Sequence, residues 1–385
     1  MTRVLIASDK FKGSLTAAQV ADALMTGIHR VRPGTTVAAA PVADGGDGTL
    51  VAALAAGYTE VRLTASGPTG APGRTRYARS GDLAVVELAE VCGLGLLAPD
   101  RLAPMTATSR GVGEVIAAAV DQGCRRIVLG IGGSASTDGG AGMVAALGAR
   151  LLDDAGREVT DGGGGLAQVT GLVLDTLRAK MSGVEVAVAS DVTNPLTGPL
   201  GAAAVYGPQK GADPAQVAAL DAALGRWADV VATVTGCDER DHAGAGAAGG
   251  VGFGAVALLG ATMRSGVELV LELIGFDALL DGADLVITGE GSLDEQTLHG
   301  KAPIGVTRAA RAVGAPVVAV CGSSTLPEEL LRENGIQETF RLTDLEPDVS
   351  RCISGAAALL ESVGEQIART YLPAQPSTPA DGGGA

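Results

Sequence analysis

Aromatic side chains are scarce in this sequence: four Phe, four Tyr and one Trp amount to 2% of 385 residues. Hydrophobic residues as a whole reach 46%, which supplies a large core and excludes global disorder. Ala, Val, Leu and Ile must therefore fill the interior. The 58 glycines, about twice the ordinary share, predict many tight turns and close approaches of the backbone.

Positive charge is also in short supply. Lys and Arg number 28 against 43 Asp and Glu, so the net charge is −15. A nucleic-acid binder needs cations along its surface, and we therefore expect no nucleic-acid partner. The three His and five Cys include no CxxC pair, so no zinc site is expected, and the cysteines predict reduced thiols in a cytoplasmic protein. No apolar run reaches about 18 residues, so no membrane span is expected.

The order of apolar and polar segments predicts an α/β fold. At roughly 150 residues per domain, the length fits two domains. Short apolar strands that end at an acid, Gly or Ser alternate with helical segments, which is typical of a parallel sheet covered on both faces. Ligands bind such sheets at the carboxyl ends of the strands. Strands are predicted at residues 4–8, 37–43, 126–130, 184–189, 284–288 and 316–320. Helices are predicted at residues 16–30, 112–122, 142–152 and 217–231.

Two segments depart from this alternation. Residues 63–88 hold four glycines among alternating side chains, which predicts antiparallel hairpins and entry into a second domain. Residues 373–385 are rich in Pro, Ser, Thr and Gly without apolar periodicity. That composition predicts a disordered tail.

The sequence GIGGSASTDGGAG at residues 130–142 is the first candidate for binding chemistry. Gly132 and Gly133 leave backbone N–H groups free to approach phosphate oxygens, and Ser134 adds a hydroxyl donor. Asp138 is suited to meeting a metal or to capping the following helix. The alternative is a glycine-lined crossing of chain segments with Asp138 as an N-cap.

Two acidic loops follow strands near the N-terminus. DGGDGT at residues 44–49 places Asp44 and Asp47 among three glycines, and DKFKGS at residues 9–14 adds lysines. Such carboxylates suit Mg²⁺, which takes one or two of them together with water and phosphate oxygens. Lys12 is suited to neutralising phosphate or carboxylate. N-capping and a turn explain one Asp but not the pair.

Two further segments are candidates: SDVTNP at residues 190–195 ends an apolar strand, and YGPQKG at residues 206–211 follows soon after it. Asp191, expected to be buried at a strand end beside Asn194, is suited to orienting a hydroxyl group or accepting its proton. Lys210 is suited to bridging phosphates. Alternatively, Asn194 only starts a turn and Lys210 lies in solvent.

The sequence GEGSLDEQTLHGK at residues 289–301 joins a strand to a helix. Glu290 and Asp294 form a second pair of metal or base candidates, and Lys301 adds positive charge. The alternative is a capping box that starts at Ser292.

Neither of two familiar nucleotide-binding motifs is supported by this sequence. No GxxxxGK[ST] occurs, because Lys301 is followed by Ala302. A GxGxxG occurs at Gly244, Gly246 and Gly249, but it follows a polar stretch instead of a strand and so lacks the context of a dinucleotide site. An NAD-dependent 2-hydroxy-acid dehydrogenase is kept only as an alternative.

Taken together, these segments resemble the class I glycerate kinase family. Matching stretches occur in the family's order: DKFKGSL (9–15), PVADGGDGT (41–49), GIGGSASTDGGAGM (130–143), SDVTNPLTGPLGA (190–202), YGPQKGA (206–212), GAGAAGGVGFG (244–254) and ITGEGSLDEQTLHGKAP (287–303).

The resemblance implies a Rossmann- or flavodoxin-like, doubly wound parallel sheet with a second α/β domain inserted into it. The predicted bounds are residues 1–62 plus 275–372 for the first domain and 63–274 for the insertion. It implies phosphorylation of D-glycerate by ATP with Mg²⁺, at the 2-hydroxyl group. A 3-phosphoglycerate-forming kinase and a non-catalytic nucleotide or metabolite sensor stay open as alternatives, and the oligomeric state is left open.

The resemblance also implies roles for single residues. Asp191 orients the glycerate hydroxyl and takes its proton late, while Lys210, Lys12 and Lys301 balance charge. The metal is held by some of four carboxylates: Asp44, Asp47, Glu290 and Asp294. Contacts to substrate or nucleotide are expected from Asp9, Ser14, Gly132, Gly133, Ser134, Asp138, Asn194, Gln209 and Gly289. Which ligand the loop 130–142 holds is left open.

Overall fold

A computed structural model describes residues 2–298 and 300–374. Most of the predicted disordered tail, from residue 375 on, lies outside the described residues. By internal packing the chain divides into two compact units, bounded as Met1–Ala43 with Leu271–Ala385 and as Asp44–Val270. The predicted α/β fold with two such units is confirmed. The predicted domain boundaries near residues 62 and 275 stay a prediction.

The strands, in chain order, are β1 Arg3–Ser8, β2 Thr36–Ala39, β3 Thr59–Ser66, β4 Pro72–Ser80, β5 Leu83–Glu87, β6 Arg126–Gly130, β7 Arg150–Leu152, β8 Gly171–Val173, β9 Glu185–Ala189, β10 Thr262–Arg264, β11 Leu285–Leu293, β12 Val317–Ser324 and β13 Glu338–Arg341.

The α-helices follow the same order: α1 Ala17–Val31, α2 Thr49–Ala55, α3 Ala89–Cys92, α4 Arg110–Asp121, α5 Ala141–Ala146, α6 Asp175–Lys180, α7 Ala202–Tyr206, α8 Pro214–Thr235, α9 Ala247–Leu259, α10 Gly266–Leu273, α11 Phe276–Leu280, α12 Glu295–Leu298, α13 Ala302–Ala312, α14 Glu328–Glu333, α15 Val349–Ser354 and α16 Ala356–Tyr371. Short 3-10 turns span Leu94–Leu96, Pro99–Arg101, Gly163–Gln168, Pro208–Lys210 and Leu342–Asp344.

A five-stranded parallel sheet forms the centre of the first unit. Its order is β13-β12-β11-β1-β2, and each neighbouring pair is parallel. Counted within this unit, that is the flavodoxin-like order 2-1-3-4-5, in which the winding reverses between the first and third strands. The predicted doubly wound sheet is confirmed. Because ligands bind this fold at the reversal, the carboxyl ends of β1 and β11 are of functional interest.

Helices α1 and α16 pack closely in the core of this unit. Helix α1 begins at a capping box in which Thr16 and Gln19 exchange side-chain and backbone hydrogen bonds. The helices meet at Gly27, where a Cβ atom would lie 1.9 Å from the carbonyl oxygen of Glu361. Side chains are excluded at that point, so the small residue sets the distance between the two helices.

A mixed six-stranded sheet, of order β10-β9-β6-β5-β4-β3, forms the centre of the second unit. Strands β3, β4 and β5 are antiparallel, which confirms the hairpins predicted at residues 63–88. Strands β5, β6, β9 and β10 are parallel. Their carboxyl ends lie in register as Glu87, Gly130, Ala189 and Arg264. Loops from distant parts of the chain therefore begin along one edge.

The helix predicted at residues 142–152 was partly wrong. Helix α5 ends at Ala146, and Arg150–Leu152 instead forms β7, which pairs with β8. The change of structure follows Gly148, whose φ of 107° lies outside the helical region. Its alanine-rich composition favours helix, but the left-handed glycine ends it.

No helix within residues 2–298 and 300–374 combines the length and the apolar character that crossing a bilayer requires.

Candidate active site

The predicted acidic and glycine-rich loops of the second unit are in direct contact. A Cβ atom on Gly132 would lie 2.6 Å from the Cα atom of Gly46, and one on Gly45 would lie 2.6 Å from the Cα atom of Gly266. Backbone therefore passes directly against backbone at both places. The loops that follow β6 and β10 both lie against the loop of residues 44–48.

Asp44 and Asp191 lie on this shared edge. Oδ1 of Asp44 accepts the N–H of Gly46 at 3.3 Å, and Oδ1 of Asp191 accepts the N–H of Gly266 at 3.2 Å. Desolvation by the loops raises the pKa of Asp191, and the charge of the Asp44 carboxylate raises it further. A hydrogen bond from the Ser265 side chain acts in the opposite direction and lowers the pKa. The expectation that Asp191 is buried was wrong, because much of its side chain stays exposed beyond the strand end.

Ser265 and Gly266 were missed by the sequence analysis. Both follow β10, which has three residues and too short an apolar pattern to be recognised. A Cβ atom on Gly266 would lie 1.9 Å from the carbonyl oxygen of Asp44, so this position requires glycine. The signal available in the sequence was a Ser-Gly pair directly before an apolar helix.

Glu87 was also missed. It ends β5 beside Gly130 and is 2% exposed. Its Oε2 accepts the N–H of Leu50 at 2.8 Å, and its two oxygens lie 3.2 and 3.3 Å from the N–H nitrogen of Gly48. Burial raises the pKa of Glu87 to about 7; the backbone N–H groups oppose this shift and Asp47 adds to it. A charged residue inside the apolar run LAVVELAEV was the signal present in the sequence.

Asp138 is fully buried and serves the glycine-rich loop itself. Its Oδ2 accepts the N–H and the hydroxyl of Ser109 at 2.8 and 2.9 Å and the N–H of Gly142 at 3.3 Å. Its Oδ1 accepts the N–H of Gly140 at 3.2 Å. Burial raises its pKa, and these hydrogen bonds oppose the shift. Of its two predicted roles, this geometry favours capping at the start of α5.

Lys210 is 2% exposed, so the alternative that places it in solvent was wrong. Its Nζ donates to Oγ of Ser134 at 2.8 Å and to the carbonyl oxygen of Ser136 at 2.5 Å. Burial lowers the pKa of Lys210 to about 7, and the charge of Asp138 opposes this shift. The lysine thereby ties the Pro208–Lys210 turn to the glycine-rich loop. The neighbouring Gln209 is exposed.

Asn194 uses both ends of its amide within its own loop. Its Oδ1 accepts the hydroxyl of Tyr206 at 2.8 Å, and its Nδ2 donates to the carbonyl oxygen of Leu200 at 2.8 Å. The alternative in which Asn194 shapes a turn is thus favoured.

In the glycine-rich loop, Gly132 is half-buried and Gly133 is exposed, so the backbone remains accessible there.

In the first unit, predicted residues gather at the reversal between β1 and β11. The N–H of Asp9 donates to the carbonyl oxygen of Gly289 at 2.8 Å. A Cβ atom on Gly291 would lie 3.3 Å from the backbone nitrogen of Lys12, and the Lys12 side chain is exposed. The segment of Asp9 and Lys12 therefore lies against β11 at Gly289, where β1 ends. The strand end predicted at Gly289 itself was wrong, because β11 continues to Leu293.

Lys301 faces two of the predicted metal ligands. Its Nζ lies 3.6 Å from Oε2 of Glu290 and 3.8 Å from Oδ1 of Asp294. Oε1 of Glu290 accepts the hydroxyl of Thr297 at 2.6 Å. Two carboxylates and one ammonium group are thus held together at the end of β11.

The capping box expected at Ser292 was wrong. Ser292 lies within β11 and pairs with Ser323 of β12. Asp294 starts the next helix instead, because its Oδ1 accepts the N–H of Gln296 at 2.9 Å.

Elsewhere in this unit, the hydroxyl of Ser14 donates to the carbonyl oxygen of Ile353 at 2.7 Å.

The four predicted metal ligands are divided between the units. Asp44 and Asp47 belong to the second unit, and Glu290 and Asp294 to the first. Within the described part of the chain, no three His, Cys, Asp or Glu side chains form a group that could hold a metal ion. A pair of carboxylates still suits Mg²⁺, which often completes its coordination with water and phosphate oxygens.

The GxGxxG of Gly244, Gly246 and Gly249 does not follow a strand. The preceding element is α8, and the motif leads into α9. Gly249 lies against the glycine-rich loop, where a Cβ atom would be 2.0 Å from the carbonyl oxygen of Ser136. The context of a dinucleotide fingerprint is therefore missing.

Comparison with known proteins gives a consistent result over nearly the whole chain. A family model described as the glycerate kinase family matches residues 4–372. The glycerate kinase of Bacillus subtilis (strain 168) is 42% identical over 369 residues, covering 95% of this chain and 97% of the relative. The glycerate 2-kinase of Escherichia coli (strain K12) is 41% identical over 341 residues, covering 88% and 90%. A crystal structure from Salmonella typhimurium LT2, provisionally designated glycerate kinase 2, is 40% identical with a TM-score of 0.83, covering 96% of this chain and 98% of that one.

Proposed function

Because the chain belongs to the glycerate kinase family and is therefore a kinase, we propose that it transfers the γ-phosphate of ATP to the 2-hydroxyl group of D-glycerate. The products are 2-phosphoglycerate and ADP. The name of the E. coli relative, glycerate 2-kinase, supports the 2-position. The observation that carries the mechanism is the placement of Asp191 beside Asp44 at the carboxyl edge of the second sheet.

Asp191 is the proposed positioning base. Its carboxylate accepts a hydrogen bond from the glycerate hydroxyl and takes the proton late, as the new P–O bond forms and the bond to ADP breaks. The N–H of Gly266 and the side chain of Ser265 hold the carboxylate in place. Its raised pKa makes it a better proton acceptor than an ordinary aspartate.

Asp44 and Asp47 are the proposed Mg²⁺ ligands of this loop. When bound, the ion neutralises charge on the β- and γ-phosphates. The fit rests on the mutual repulsion of Asp44 and Asp191, which a nearby cation relieves. Glu290 and Asp294 of the first unit stay predicted ligands, and Lys301 already faces both of them.

Backbone N–H groups and lysines supply the remaining proposed contacts. The accessible backbone of Gly132 and Gly133 is suited to phosphate or carboxylate oxygens, and the exposed Gln209 stays a predicted contact. Asp9, Ser14, Gly289, Lys12 and Lys301 stay predicted contacts. For Lys210 the buried position supports an indirect role, in which it holds the glycine-rich loop instead of touching phosphate.

The proposed location is the cytoplasm. All five cysteines are free thiols, and free thiols are typical of proteins in a reducing compartment. The proposed partners are D-glycerate and ATP.

A coupled assay tests the proposed activity. Purified protein with ATP, Mg²⁺ and D-glycerate is expected to release ADP, and enolase added alone is expected to convert the product into phosphoenolpyruvate. L-glycerate serves as the matched control and should give negligible ADP.

Each alternative predicts a different outcome. A 3-phosphoglycerate-forming kinase releases ADP but gives no product that enolase consumes. A dehydrogenase reduces NAD with glycerate and releases no ADP. A sensor binds ATP without turnover, and any of these three results would overturn the proposal.

A further inference from the structure

Glu87 is a buried acid to which the proposed mechanism gives no role. It stands in register beside Gly130, the first residue of the glycine-rich loop. Its carboxylate is also hydrogen-bonded to the loop that carries Asp44 and Asp47. One side chain thus joins the end of a central strand to the acidic loop.

The backbone on both sides of Asp47 is held by specific hydrogen bonds. Before it, the carbonyl oxygen of Gly46 accepts the hydroxyl of Thr49 at 2.8 Å. After it, the N–H groups of Gly48 and Leu50 donate to Glu87. The side chain of Asp47 is exposed, so the loop presents this carboxylate to solvent from a fixed backbone.

The chemistry of this position calls for a carboxylate. Two backbone N–H donors converge on it, and a carboxyl group offers two oxygens to them where an amide offers one. A glutamine would turn an NH₂ group toward one of those donors. A methylene-shortened aspartate would keep both acceptors but draw them back from the loop.

A role in stabilising the fold does not explain why a carboxylate is buried at this position. Burying a carboxylate is unfavourable, and here the charges of Asp47 and Glu90 have the same sign as Glu87. The hydrogen bonds offset part of that cost, and their evident effect is to define where the acidic loop lies.

We propose that Glu87 is a positioning residue for phosphoryl transfer, which fixes the loop of residues 44–48 so that Asp44 and Asp47 meet the metal–nucleotide complex. This inference rests on the proposed function. Glu87 itself touches neither substrate nor metal.

The test compares Glu87→Gln with Glu90→Gln. The second variant removes a carboxylate close by that pairs with Arg76, while the bonds to Gly48 and Leu50 remain. Binding of the Mn²⁺ complex of a non-hydrolysable ATP analogue is measured by titration calorimetry. We expect the dissociation constant to rise by about tenfold or more for Glu87→Gln, as for other residues that orient metal ligands, and to stay within about twofold for Glu90→Gln.

The Mg²⁺ dependence of turnover gives a second reading. The half-saturating Mg²⁺ concentration is expected to rise for Glu87→Gln and to recover partly for Glu87→Asp, with thermal unfolding used to confirm that each variant is folded. If Glu87→Gln does not fold, Glu87→Asp carries the same comparison. A lower turnover number with unchanged metal–nucleotide affinity assigns Glu87 a merely structural role and overturns the inference.

The two proposals fail in different ways. If the unchanged protein releases no ADP with D-glycerate, the proposed function is wrong. If it does, and the Glu87 variants bind the metal–nucleotide complex like wild type, the activity stands and the role of Glu87 is wrong.

Discussion

Nζ of Lys210 lies 2.8 Å from Oγ of Ser134 in the interior of the second unit, where the lysine side chain is 2% exposed. Its other acceptor is a backbone carbonyl oxygen, that of Ser136. Both acceptors are uncharged, so the ammonium group keeps its charge only at a cost. That cost is the reason its pKa falls to about 7.

Removing this lysine should change how stability depends on pH. The folded-state pKa of about 7 lies below that of an unfolded lysine, about 10.4. Between these values the unfolded chain binds more protons, so this group makes the free energy of unfolding rise with pH, by at most about 1.4 kcal/mol per pH unit. Relative to Lys210→Met, wild type should therefore gain stability on the order of 1 kcal/mol per unit from pH 7.5 to 9.5.

Urea unfolding at several pH values checks this expectation. Lys180→Met is the matched control, because that lysine pairs with Asp121 near the surface; its difference from wild type should stay level. A level difference for Lys210→Met as well would show that Lys210 is not held in the way described.

Asp191→Asn should lower the rate of ADP release by about a hundredfold or more, the scale typical of a lost general base. The side chain is exposed, so thermal stability should change little. Asp154→Asn, an exposed acid in the same unit, is expected to keep wild-type turnover. Near-normal turnover of Asp191→Asn would remove Asp191 from the mechanism.

Gly132→Ala should separate the glycine-rich and acidic loops. The added methyl group would lie 2.6 Å from the Cα atom of Gly46, and we expect a loss of about 1–3 kcal/mol of stability together with weaker activity. Gly225→Ala is the control, since that position in α8 has open space for a Cβ atom and alanine favours helix by up to about 1 kcal/mol. Equal effects of the two variants on activity would contradict the contact.

Ala248→Gly should stabilise the protein. Ala248 has a φ of 55°, a left-handed conformation that costs a non-glycine residue about 1–2 kcal/mol. Glycine relieves this but adds freedom to the unfolded chain, worth about 0.4–1 kcal/mol, so the net gain expected is about 0.5–1 kcal/mol.

Ala247→Gly is the neighbouring control for this change. Ala247 is buried, so its replacement removes a buried methyl group and should destabilise by about 1 kcal/mol. Denaturant unfolding of both variants distinguishes them. A destabilised Ala248→Gly would mean that the left-handed turn is not a source of strain.

Much of the fold followed from the sequence because alternating apolar segments specify strands and helices locally. The strand end beside Asp191 was recognisable for the same reason. The ends predicted at Asp44 and Gly289 were wrong, because β2 already ends at Ala39 and β11 continues to Leu293. The burial of Lys210 was not, since it depends on the packing of Ser134, which lies 76 residues away. Likewise the partners of Glu87 lie 37 and 39 residues away, beyond any local pattern.

The touching glycines of the second unit have a mechanical consequence. Contacts between Gly45 and Gly266 and between Gly46 and Gly132 contain no side chain that could rotate to absorb a displacement. We therefore expect a shift of one of these segments to displace the segment that it touches. A ligand that moves the loop of residues 44–48 should therefore also move the segments at Gly132 and Gly266.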